Sequence, residues 1–147
     1  MREKVEQLEQ MMQAYDPAVL PLKHYFADGL YAREMFMPAG VILTGAVHKT
    51  NHICILSKGR VRVASEAGPI ELVAPATIVS PPGTKRAIYA LEDSVWTNIH
   101  ATNETDLDKI VEELTESTAA ELQGGSANKQ QLAHAERETI WLSLPQH

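Results

Sequence analysis

A chain of 147 residues, 44% of them hydrophobic, is long enough for one compact domain and too short for two. A formal charge of −6, from 13 basic and 19 acidic residues with no basic run longer than Lys85-Arg86, argues against nucleic-acid binding. A single cysteine, Cys54, excludes an intrachain disulfide and fits a reducing, cytoplasmic setting, and the charged N-terminus predicts neither a signal peptide nor a membrane span.

In chain order, the first element is a helix over residues 2–15, where Val5, Leu8, Met12 and Tyr15 recur at three- and four-residue steps until Asp16-Pro17 ends the pattern. Pro17 and Pro21 predict an extended linker, so residues 1–29 read as a helical arm with its connection. From Leu30 to His100 strand signals dominate. The expected strands are Tyr31–Met37, Val41–Val47, His52–Leu56, Val61–Ala64, Ile70–Val73, Ile78–Ser80, Ala87–Leu91 and Val95–His100. Turns such as Pro38-Ala39-Gly40, Lys58-Gly59 and Pro81-Pro82-Gly83 separate them. Short strands at this spacing predict a sandwich or barrel over residues 30–101. Leu107, Ile110, Val111 and Leu114 then form the apolar stripe of a helix, capped by Asn103 or Thr105, within residues 102–125. Gly124-Gly125 stops it. Residues 126–147 read as an extended tail whose Trp141, Leu142 and Leu144 need a surface to bury against.

The stretch Pro38 to Gly59, PAGVILTGAVHKTNHICILSKG, sets His48 and His52 four apart before a β-branched run and a glycine turn. With the later Pro81-Pro82-Gly83-Thr84-Lys85-Arg86, this pattern resembles the cupin superfamily. The resemblance covers about half the chain, Leu30 to His100. It implies an all-β fold: a single double-stranded β-helix (cupin or jelly-roll) barrel, flanked here by the N-terminal helix, the C-terminal helix and the tail. Aligned on Gly59, His48 takes the place of the second histidine of the family's first motif, and Ala46 that of the first. His52 stands at its carboxylate position and Arg86 at the histidine of the second motif. The combination HKTNHICILSKG, PPGTKR, LEDSVW and a terminal IH also resembles small phage-encoded cupin-like proteins.

Alternation along the strand from His52 puts His52, Cys54 and Leu56 on one face and Ile53 and Ile55 on the other. His100, at the end of the last expected strand, is the candidate third imidazole beside His48 and His52. Three imidazoles with an open position would suit a divalent transition metal, Fe, Zn, Ni or Mn. The alternative is that His48 and His52 hydrogen-bond a polar turn and no cofactor is held. Arg86, with Lys85 or Lys58 at the rim, would instead attract a carboxylate or phosphate, unless it pairs with Glu92 or Asp93. Cys54, within ICIL, reads as an inert core thiol.

Three functions remain at this level. The expected one is a cupin-like scaffold or assembly protein that forms a homo-oligomer, such as a component of a phage particle. Its hooks for copies of itself or other assembly proteins would be the N- and C-terminal arms, and it would reside in the host cytoplasm or the virion. The alternatives are a metal-dependent enzyme, dioxygenase- or isomerase-like, using His48, His52 and His100, and a non-catalytic binder of an anionic small molecule through Arg86. No nucleic-acid or membrane partner is expected.

Overall fold

The computed structural model describes residues 2–12, 20–64 and 68–116, and the backbone of 129–131. Its elements run α1 (Arg2–Met12), β1 (Leu22–Ala27), β2 (Leu30–Met37), β3 (Val41–Thr44), β4 (His52–Lys58), β5 (Arg60–Val63), β6 (Ile70–Val73), β7 (Ala76–Ser80), β8 (Ala87–Ala90), β9 (Ser94–Ala101), α2 (Leu107–Leu114) and β10 (Lys129–Gln131). The strands build two antiparallel sheets, in the orders β1-β2-β9-β4-β7 and β10-β3-β8-β5-β6. Sequence neighbours β4 and β5 lie in different sheets, as in the jelly-roll barrel the sequence predicted. Gly59 makes that passage at φ +85°, a conformation L side chains disfavour, and a β-carbon there would collide with Ser94 and the Asp93 carbonyl.

The core lies between the sheets. Met35, Met37, Cys54, Leu56 and Trp96 meet Val41, Leu43, Val61, Val63, Ile88 and Ala90 across it. Each fully buried aliphatic side chain contributes roughly 1.5–3 kcal/mol. Strands β3 and β8 are buried on both faces, because Val5, Leu8 and Met12 of α1 cover Ile42, Ala87 and Tyr89 on the outside of their sheet. The N-terminal arm is therefore part of the chain's own core. Leu8 and Met12 are each 1% exposed and Val5 is 0% exposed, which leaves this face nothing with which to hook a neighbour.

The connection before Leu30 differs from the linker expected. Leu22–Ala27 is an edge strand, paired from Leu22↔Met35 to Ala27↔Leu30. Its mostly exposed side chains left too little alternation for the sequence to announce it. Helix α2 ends at Leu114, well short of residue 125, because Thr115 turns extended and forms a bridge to His48. Its cap is Asp106, whose carboxylate accepts from the Asp108 and Lys109 amides, in place of Asn103 or Thr105. A short strand at Lys129–Gln131 joins β3, inside the segment read as a tail. Tyr15, Trp141, Leu142 and Leu144 lie outside the described residues. No helix among the described residues is long and apolar enough to cross a membrane.

Candidate metal centre

The inner face of the β1-β2-β9-β4-β7 sheet is graded by the two-residue period of its strands. Deepest in the barrel, Met35 pairs with Trp96, Trp96 with Leu56 and Leu56 with Ala76, a wholly apolar row. One step toward the mouth, Arg33 pairs with Asn98, Asn98 with Cys54 and Cys54 with Ile78. At the mouth Tyr31 pairs with His100 and His52 with Ser80, while the adjoining Ile53↔Ile99 pair sets the two histidines side by side. Alternation thus delivers His52 and His100 to the same rim, with Cys54 and Leu56 beneath and Ile53 exposed outside.

His48 arrives from the β3–β4 connection and is fixed by backbone bonds on both sides. The Lys49 amide donates to the Leu114 carbonyl at 2.7 Å, the Glu116 amide to the Val47 carbonyl at 3.0 Å, and the Gly83 amide to the His48 carbonyl at 2.8 Å. The Pro81-Pro82-Gly83 turn and the end of α2 therefore position this residue together. The ring centroids are 4.2 Å apart for His48 and His52, 4.7 Å for His52 and His100, and 5.1 Å for His48 and His100. One ring nitrogen from each lies within 4.8 Å of the others.

These imidazoles are held neutral. Burial pushes His48 down to about 3, helped by His52, His100, Arg33 and Arg86. Burial, then His52 and Arg33, lowers His100 to about 4. His52 also falls, through burial and Arg86, against the opposing pull of the Thr50 backbone. Neutral imidazoles keep the lone pair that a metal needs. The buried Nδ1 atoms of His52 and His100 have no hydrogen-bond partner, an arrangement that costs free energy unless something in the cavity interacts with the rings. An ion bound ~2.0–2.1 Å from each nitrogen would hold tetrahedral ligand atoms about 3.3 Å apart. Closing from 4.8 Å, shared between two side chains, moves each by less than ~1 Å. The residues present fit a divalent transition metal.

The histidines open on a cavity of about 110 Å³. Met35, Leu43, Ile88 and Trp96 form its floor, and Leu107, Ile110, Val111 and Leu114 of α2 roof it. Arg86 lines it, its Nε donating to Ser80 Oγ at 2.9 Å; its partner is neither Glu92 nor Asp93. The other two expected rim cations are elsewhere. Lys85 turns away to Glu9 at 2.8 Å and the Gly45 carbonyl at 3.1 Å. Lys58 is exposed at the far end of β4 from His52, beyond a bulge. Cys54 is buried against Ser80, its sulfur 3.7 Å from that hydroxyl, and burial pushes its thiol up, away from nucleophile chemistry. The acidic residues around α2 partly hold structure: Glu104 accepts from the Thr105 and Asp106 amides, Glu113 from the Thr102 hydroxyl, and Glu116 pairs with Arg2.

Arg33 is the cavity residue that sequence reasoning missed. Its signal was available: in LYAREMFM it shares parity with the inward Tyr31 and Met35.

No protein-family model matches the chain, and no curated protein matches it in sequence. Solved structures do. KdgF from Halomonas sp. is similar at TM-score 0.52 and 19% identity, over 65% of this chain and 94% of that one. An RmlC-like cupin from Shewanella frigidimarina matches at TM-score 0.51 and 14% identity, over 65% and 90%. A cupin superfamily protein from Desulfitobacterium hafniense matches at TM-score 0.50 and 11% identity, over 60% and 82%. Together with the two-sheet barrel, these likenesses show that the chain has the cupin fold.

Proposed function

We propose that this barrel is a metal-dependent small-molecule site of the cupin kind, with His48, His52 and His100 holding one divalent transition metal at the mouth of the cavity. The observation that carries the reading is the convergence of three neutral, largely buried imidazoles to within 4.8 Å, two of them with an unpartnered Nδ1. A bound metal would supply Lewis-acid polarisation of a substrate oxygen, or an open position for oxygen chemistry, and so serve an isomerase-like or dioxygenase-like enzyme. The chain's own part is positioning. Backbone bonds fix His48, the sheet register fixes His52 and His100, and the apolar side chains of α2 keep bulk water from the cavity. The test is metal analysis by mass spectrometry of full-length protein purified without added metal. Close to one equivalent in the wild type, lost in both His48→Asn/His52→Asn and His100→Asn, is the expected result. Wild-type protein that neither carries metal nor takes up Zn²⁺, Fe²⁺, Ni²⁺ or Mn²⁺ on dialysis would refute it.

Self-association is a second reading, favoured by one feature of the outer sheet face. Ile53 and Val79 stand paired there, 41% and 66% exposed. A homo-oligomer built on this face would serve an assembly role, in a phage particle or elsewhere, with or without the metal. Light scattering of the full chain against Ile53→Lys/Val79→Lys, and against a chain lacking residues 126–147, tests it. A monomeric wild type rules it out.

A further inference from the structure

We infer that the cavity takes a small carboxylate with an apolar remainder, and that Arg33 together with Arg86 recognises its anionic end. This rests on reading the cavity as a small-molecule site. Arg33 lies in the second row of the sheet, one step below the histidines, with its Nε buried and without a partner. Among the described residues no carboxylate forms an ion pair with it, and none of the residues lining the cavity is Asp or Glu. Arg86 enters from the turn just before β8 of the opposite sheet, and among the described residues its side chain hydrogen-bonds the neutral Ser80 hydroxyl. Two guanidinium groups thus line one cavity, with no carboxylate among the described residues that line it.

Burial opposes both charges, yet an arginine does not escape by losing its proton. A charge withdrawn from water without a partner is costly, and Arg33, whose Nε is buried, shares one cavity with the half-buried Arg86. An anion removes that cost, and a carboxylate can accept two parallel N–H bonds from a guanidinium. A metal at the histidines would add further positive charge and strengthen the requirement. The rest of the ligand follows from the walls. Met35, Leu43, Ile88 and Trp96 beneath, and the apolar side chains of α2 above, give mostly apolar contact, with Thr44 and Asn98 as polar points among them. A volume of about 110 Å³ has room for roughly eight water-sized atoms, the size of a short-chain or aromatic acid.

Benzoate and its uncharged, equally sized amide benzamide are the probes, titrated calorimetrically into full-length protein, once with EDTA and once loaded with Zn²⁺. Benzoate should bind the metal-free protein at least tenfold more tightly than benzamide. Arg33→Gln should abolish that preference and Arg33→Lys restore part of it, since an ammonium keeps the charge but lacks the fork. Arg33→Gln should also melt no lower than the wild type, because it removes an unpaired charge. Equal binding of the two probes, no binding of benzoate in either form, or a marked fall in melting temperature for Arg33→Gln would overturn the inference. Protein that prefers benzoate but takes up no Zn²⁺ upholds it while removing the metal.

Discussion

Acidifying the metal-free protein from about pH 7.5 to about pH 5 should strip several kcal/mol from its stability, chiefly through His48 and His100. In the unfolded chain both titrate near 6.5, whereas in the barrel they sit at about 3 and about 4. Between those values the unfolded state binds more protons than the folded one. The stabilisation is therefore complete above the unfolded value and is lost as pH falls toward the folded values. Each proton contributes a slope of about 1.4 kcal/mol per pH unit, so the descent to pH 5 costs about 2 kcal/mol per imidazole and about 4 kcal/mol for the pair. His52, lowered in the same direction, adds to it. The assay is urea unfolding in EDTA at both pH values, on wild type and on His48→Asn/His100→Asn. The variant retains every carboxylate, His24 and His52, so the difference between the two proteins isolates His48 and His100. An equal loss of stability in both would refute the claim that these rings are held neutral by burial.

Gly59→Ala should lower stability by about 2 kcal/mol or more, since the alanine must take a left-handed conformation while its methyl meets Ser94; the urea midpoint reads this directly. Asp106→Ala removes the α2 cap and should cost about 1 kcal/mol in thermal melting, with faster amide exchange over residues 107–114. Leu8→Ala should cost about 2–5 kcal/mol and leave the solution mass unchanged, whereas an intermolecular hook would lose mass with little loss of stability.

The barrel was legible in the sequence because its turns are chemically explicit and its inner strands alternate. PAG, KG and PPG sit where the chain reverses, and HICIL splits into buried and outward sets as its parity dictates. The same parity put His52 on the inward face with Cys54 and Leu56, whereas His100 was a candidate only by its place at the end of the last expected strand, and nothing in the sequence brought it near the other two. Less was readable where tertiary contact decides. LKHYFA is an exposed edge with no buried periodicity. The end of α2 is set by Thr115 binding back to residue 48, a partner 67 positions away in sequence (115 minus 48). Val5, Leu8 and Met12 advertised an apolar face, but whether the chain itself or a neighbour covers it depends on where β3 and β8 lie. Arg33 escaped notice because a charged residue inside a strand reads as surface, although its neighbours by two are buried.

The backbone hydrogen bonds that join Val47–Lys49 to Leu114–Glu116 tie the C-terminal end of α2 to the segment that carries residue 48. Were the whole helix to lift away, it would drag the residue-48 imidazole out of the cluster.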